Sequence, residues 1–276
     1  MRLFLLPIST RRVLIYCQRL NVAAPEKQTW ADWGTSKATK LWAGWEKRES
    51  GWQRKVVDYG NYALKRIPYE EWGLKSIPPI SARKKEISAG EKVEVFFPST
   101  VLPEQNILEV LKKLGTERQS LHQKRLIWSC IGMPISAPFA IVPVVPNLPF
   151  FYLVFRAWSH WRALSGSKHI EFLLKKELVT PKPSKILDLI YADKNQPFNT
   201  ALEKQTNTNP IPNSVERMII HKGEAKQIAE ALSMPELDIE LDRAIWQVDK
   251  SIQAEKKTKE EKEIEKAQSK QGEKKK

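Results

Sequence analysis

The sequence predicts a mainly α protein. It should have amphipathic helices around one Pro-broken apolar membrane hairpin or single span, with a helical C-terminal region and a disordered charged tail. Three observations lead there. Thirty consecutive residues, Leu126 to Phe155, carry no charged side chain, in a chain where charged residues make up 28% of the total. Such a run reads as a membrane element, because lipid demands apolar side chains and internally satisfied backbone. Apolar residues on both sides of it recur at helical spacing. From 255 to 276, nine lysines and six glutamates accompany a single isoleucine, too little to bury a core. The implied division is a basic, Trp-rich helical region (1–125), the Pro-broken apolar segment with its interfacial flank (126–165), a helical C-terminal region (166–254) and the Lys/Glu tail (255–276).

At the N-terminus, Arg2, Arg11, Arg12 and Arg19 precede the first acidic residue, Glu26. That start fits either a targeting segment or an ordinary first strand or helix, Met1 to Leu6 with Val13 to Tyr16. Over residues 35–66, Leu41, Trp45, Trp52, Val56, Tyr59 and Ala63 fall on one helical stripe, and Lys40, Lys47, Arg54 and Lys65 lie opposite. The stripe could suit a bilayer surface, with Trp42, Trp45 and Trp52 at headgroup depth, but a packed bundle face is the favoured reading. In Arg66 to Gly73, Pro68 preorganises a first helical turn, and Glu70 and Glu71 read as carboxylates near its positive end. Gly73 and the Pro78-Pro79 pair are expected to close that helix. The alternation from Val93 to Phe97 suggests an isolated strand. Ile107, Leu108, Leu111 and Leu114 begin a helix running toward Lys124 and Arg125, which would anchor at an interface.

Five prolines (Pro134, Pro138, Pro143, Pro146 and Pro149) break the apolar run. Its first leg, Leu126 to Val142, would reach ~25 Å as a helix, short of a hydrocarbon core of ~30 Å. The second leg, from Phe150, soon meets Arg156, followed by Trp158, His160, Trp161 and Arg162. A hairpin is favoured over a kinked span or a buried core. His122 and His160 flank the run and read as exposed interfacial histidines. Further on, Ser167 to Lys176 and Pro183 to Tyr191 look like short helices, Asn195 to Pro212 a polar loop and Ser214 to Ile220 helical. Gly223 to Leu232 and Pro235 to Ile252 form a helical pair around Ser233-Met234-Pro235.

A formal net charge of +14 points to acidic partners. Residues 1–125 hold 23 Lys+Arg against 13 Asp+Glu, so the excess lies mainly before the apolar run. Cys17 and Cys130 give neither a disulfide framework nor a metal site. No Cys-x-x-Cys, His-Glu-x-x-His, Gly-x-Gly-x-x-Gly or phosphate loop occurs. No catalytic, cofactor-binding or metal residue is therefore assigned, no cofactor is expected, and an enzyme is not the expectation. The uncharged run lacks the ionisable groups that an ion relay needs within a membrane. The candidate site is instead a membrane interface formed by Trp42, Trp45, Trp52, Lys124, Arg125, Arg156, Trp158 and Trp161.

Leu3-Phe4-Leu5-Leu6-Pro7-Ile8-Ser9 with Tyr16-Cys17, then Trp42, Trp45-Glu46, Gly51-Trp52, Lys55-Val56-Val57 and Tyr59-Gly60-Asn61 form a dense set of marks. Together with Arg66 to Pro78, the Pro-rich run, Pro235-Glu236-Leu237, Arg243-Ala244 and Gln247, they resemble the fungal mitochondrial potassium/proton exchange-related family. The resemblance covers most of residues 1–250 and is densest over 42–78. It implies a mitochondrial inner-membrane protein involved in potassium/proton exchange and matrix cation and volume homeostasis, a subunit or regulator rather than the sole carrier. It also favours an uncleaved or internal targeting signal, since Leu3 to Cys17 match the pattern. Expected partners are an anionic lipid bilayer and a protein partner or second copy, with no nucleic acid. The alternative reading is a basic membrane-peripheral scaffold or nucleic-acid-associated matrix protein.

Overall fold

A computed structural model describes residues 1–18, 44–47, 50–83, 87–138, 148–192 and 216–273. The chain divides into two units, one of Met1 with residues 19–68 and one of residues 2–18 with 69–276. In the first, helix α1 spans Trp52–Lys65. The helix expected over 35–66 is interrupted, because Gly51 sits at φ 106°, a left-handed conformation that glycine adopts freely. Across this break the Trp45 and Trp52 rings meet edge to face, with centroids 5.5 Å apart. Arg54 donates to the Glu46 carbonyl at 3.0 Å and pairs with Asp58 at 3.1 Å. Trp52 and Tyr59, on the predicted apolar stripe, are exposed. Leu41 and Trp42 lie outside the described residues, as does the loop expected over Asn195 to Pro212.

The second unit contains a four-stranded mixed sheet, which overturns the expectation of a mainly helical protein organised by a membrane hairpin or span. Strands β1 (Arg2–Pro7) and β2 (Val13–Gln18) form an antiparallel hairpin with Phe4 opposite Tyr16. Strands β3 (Val93–Phe97) and β4 (Val179–Pro183) add in parallel, giving the order β2-β1-β3-β4. The sequence explains the order. Leu3, Phe4, Leu5 and Leu6 are all buried, as suits a central strand covered on both faces. In β4, Pro181 and Pro183 stand two apart, so both missing donors fall on the same side, the free edge. The first segment is thus a strand pair, and Val93 to Phe97 is not isolated.

This unit also contains the helices α2 (Tyr69–Ser76), α3 (Ile107–Thr116), α4 (Gln119–Ser136), α5 (Leu148–Lys175), α6 (Lys185–Ala192), α7 (Ala225–Ala231) and α8 (Pro235–Glu273). Helices α4 and α5 run antiparallel. Gln119 donates to Glu171 at 3.2 Å near one end, and Gly132 lies against Leu153 toward the other. Two glycines seat α2 tightly. A Cβ at Gly73 would come within 2.5 Å of the Ile15 carbonyl oxygen of β2, and one at Gly166 of α5 within 2.1 Å of the Leu74 carbonyl oxygen. Gly73 therefore serves close packing, and α2 continues past it to Ser76.

No helix among the described residues is long and apolar enough to cross a membrane. The uncharged run is divided, with Leu126 to Ser136 ending α4 (~17 Å) and Leu148 to Phe155 beginning α5 (~12 Å), each well under ~30 Å. Two C-terminal expectations also change. Ser214 to Ile220 is not helical where described, since Met218 bridges to Ser9 in an extended conformation. The charged tail continues α8 as helix to Glu273, as closely spaced Glu and Lys favour. The expected α7–α8 pair forms, with Leu237, Leu241, Ala244, Ile245 and Val248 buried on α8.

Candidate functional site

The second unit's most concentrated chemistry lies where α2, α4 and α5 meet. Seated by its glycines, α2 presents Glu71 and, one turn on, Lys75. From α5 come Arg156, Ser159 and His160, at i, i+3 and i+4 on one face, and from α4 comes His122. Glu71 is 0% exposed, and Arg156, Ser159, His160 and His122 are buried around it. Arg156 grips the carboxylate with two hydrogen bonds, at 2.9 and 3.2 Å, and Ser159 donates a third at 2.5 Å. Burial pushes the Glu71 carboxyl up. The Ser159 hydroxyl, the Arg156 guanidinium and His160 more than offset that, holding it below the usual carboxylate range.

The network continues through the histidines. Arg156 also donates to His160 Nε2 at 2.9 Å, and His160 Nδ1 lies 3.1 Å from His122 Nδ1. Since a guanidinium can only donate, His160 Nε2 accepts and the neutral ring carries its proton on Nδ1. That proton goes to His122 Nδ1, which puts the His122 proton on Nε2. His122 Nε2 is buried with no hydrogen-bond partner. Burial pushes both imidazoles down, His160 to about 4.

Glu71, His122 and His160 bring three possible metal donors within 4.8 Å of one another. The guanidinium argues against a cation there. It uses both oxygens of Glu71, and it leaves His160 Nδ1 protonated, without a lone pair to give. A hydrogen-bonded chain, Glu71 to Arg156 to His160 to His122, accounts for these atoms better than a metal centre.

Beside the chain, Lys75 is buried with its Nζ 3.3 Å from the centroid of the Trp72 ring and 5.4 and 5.5 Å from those of Trp158 and Phe155. This amine has no hydrogen-bond partner, and burial pulls it down to about 8. Arg243 of α8 lies 4.4 Å from the Trp72 ring centroid. The aromatic surfaces provide cation–π contact in place of hydrogen bonds.

The predicted interface residues are not brought into one place. Lys124 and Arg125 are exposed on α4, just before the apolar run, and Trp158 and Trp161 are about half-exposed on α5. Arg156 is buried in its ion pair with Glu71. Trp45 and Trp52 belong to the other unit, and Trp42 is outside the described residues. Sequence reasoning missed the buried cluster. Glu71 is not merely a helix-start carboxylate, and His122 and His160 are not exposed, whereas Glu70 pairs with Arg118 at 2.7 Å. The one readable signal was the Arg156-Ser159-His160 spacing, which sets three polar groups on one face next to an apolar run.

Beyond Arg125 the same two helices reverse character. Trp128 is 71% exposed, Ile135 70% and Phe151 60%, and Ile127, Ile131 and Tyr152 are exposed with them. This is an apolar end of the hairpin without a protein cover among the described residues.

Comparison with known proteins matches residues 2–174 to a family described as mitochondrial K+-H+ exchange-related. An uncharacterized protein of Schizosaccharomyces pombe is 31% identical over 193 residues, covering 68% of this chain and 81% of that protein. An uncharacterized protein of Saccharomyces cerevisiae is 25% identical over 243 residues, covering 79% and 74% respectively. No solved structure matches. The family description associates the chain with the mitochondrion and relates it to potassium/proton exchange.

Proposed function

Because the chain belongs to the mitochondrial K+-H+ exchange-related family, we propose that it is a membrane-attached subunit or regulator of potassium/proton exchange. In this reading it works at the inner membrane, in matrix cation and volume homeostasis. The observation that carries the attachment is the exposed apolar end of the α4–α5 hairpin, with Trp128, Ile131, Ile135 and Phe151 turned outward. An apolar patch of that kind marks a surface made for something other than water. Lys124 and Arg125 stand at its base, and the chain's formal charge of +14 suits an anionic bilayer. Attachment here means seating in the interfacial layer. The accessory role is supported by the lack of charge along the apolar end. Between Leu126 and Phe155 there is no carboxylate, histidine, lysine or arginine with which a lone copy could pass an ion.

The test is swelling of isolated mitochondria in potassium acetate. Loss of the protein should impair it, with matrix potassium raised; normal swelling with normal matrix potassium would remove the proposal. Carbonate extraction separates the attachment from the role, since complete release into the soluble fraction would argue against a membrane-embedded surface.

A further inference from the structure

We infer that the paired imidazoles of His122 and His160 form a proton-binding site in which an added proton and the Arg156–His160 hydrogen bond exclude one another. The joint between α2 and α5 is thereby proton-operated. All four ring nitrogens are already committed. His160 Nε2 accepts from Arg156, His160 Nδ1–H donates to His122 Nδ1, and the remaining proton sits on His122 Nε2 without an acceptor. A third ring proton, taken from water, has no free lone pair to occupy. It must displace the guanidinium from His160 Nε2, or break the bond between the two rings.

The surrounding charges select the first course. His122 faces Glu71, which favours a cation there, and is opposed by Arg118 just before its helix, Arg125 on that helix and Arg156 on α5. His160 faces the same Arg125 and Arg156, but its Nδ1 lies 3.7 Å from Glu71 Oε2, the nearest negative charge. The proton therefore rests on His160, and two cations then compete for one carboxylate. Lys75, on α2 beside Glu71, adds a third positive group and favours expulsion of one of them. Arg156 is the bidentate link from α5 to Glu71 of α2, so its retreat loosens that contact. Because burial pulls the folded His160 ring down to about 4, the hairpin's hold on α2 persists through neutral pH and loosens only in distinctly acidic solution.

The sign follows from where each state binds its proton. The folded His160 titrates near 4, below the ordinary value of 6.5, so between these pH values the unfolded chain holds more protons and stability falls as the solution is acidified. For this residue alone, the unfolding equilibrium constant should rise about twentyfold between pH 7 and pH 5.

The experiment uses the full chain with nitrogen-15 histidine, read by long-range proton–nitrogen spectra and by denaturant unfolding at both pH values. At neutral pH, His160 should appear protonated on Nδ1 and His122 on Nε2, and His160→Gln should abolish the twentyfold difference. Gln keeps an acceptor for Arg156 and a donor for His122 but cannot titrate. The inference is overturned by a His160 ring protonated on Nε2, or by an unchanged pH 5 to pH 7 ratio in the Gln variant. Should that variant not fold, the wild-type spectra decide alone. Titration of His160 near the ordinary imidazole value of about 6.5 would also contradict the inference.

Discussion

On the inner half of the α4–α5 hairpin, polar groups face inward, with His122, Arg156, Ser159 and His160 buried around Glu71. On the outer half, apolar groups face outward, with Trp128, Ile131, Ile135 and Phe151 exposed. The inversion happens within single continuous helices, across Arg125 and Leu126 on one and Phe155 and Arg156 on the other. It teaches that one hairpin serves two environments. Its base is a joint to α2, held by a charged network in which each partner needs the others. Its end has no protein partner among the described residues, and the apolar surface there does not stabilise the folded chain until something covers it.

Removing charge from the base should have the largest effect. Arg156→Met leaves Glu71 buried without its counter-charge and should cost about 3–5 kcal/mol in denaturant unfolding, much of it recovered when Glu71→Gln is added. A loss under 1 kcal/mol would mean that the ion pair is not buried as described. Next comes the packing of the joint. Gly166→Ala drives a methyl into the Leu74 carbonyl and should cost about 1–3 kcal/mol, shifting α2 relative to α5. At the outer half the expectation reverses. Trp128→Ser with Ile135→Ser should leave unfolding within about 0.5 kcal/mol of wild type. The same pair should weaken binding to anionic vesicles by at least about tenfold, since each large side chain fully buried contributes ~1.5–3 kcal/mol. Strong destabilisation by that pair would erase the contrast between the two halves.

Local pattern made parts of this legible in the sequence. Alternation announced Val93 to Phe97, helical spacing announced α3 and the α7–α8 pair, and the missing charges announced the apolar end of the hairpin. The rest depended on distance. The strand Val179 to Pro183 carries two prolines and no alternation, and it is a strand because it lies at an edge where missing donors cost nothing. Glu71 becomes a buried ion-pair partner only because Gly73 and Gly166 let α2 approach β2 and α5, and its partners lie 85 to 89 residues along the chain. Proline also misled in part, since Pro134 lies inside α4, which continues to Ser136. The whole uncharged run looked like one element, but its two arms are the outer parts of two helices whose other turns are anchored by charge.

The attachment surface can be tested most directly at the two cysteines, since Cys130 lies exposed on the outer half and Cys17 is buried in β2. Maleimide labelling of the full chain should modify Cys130 quickly and Cys17 slowly. Adding phosphatidylcholine–phosphatidylglycerol vesicles should slow Cys130 several-fold, and vesicles of phosphatidylcholine alone should slow it less. An unchanged Cys130 rate in the presence of anionic vesicles would contradict a membrane-facing hairpin end.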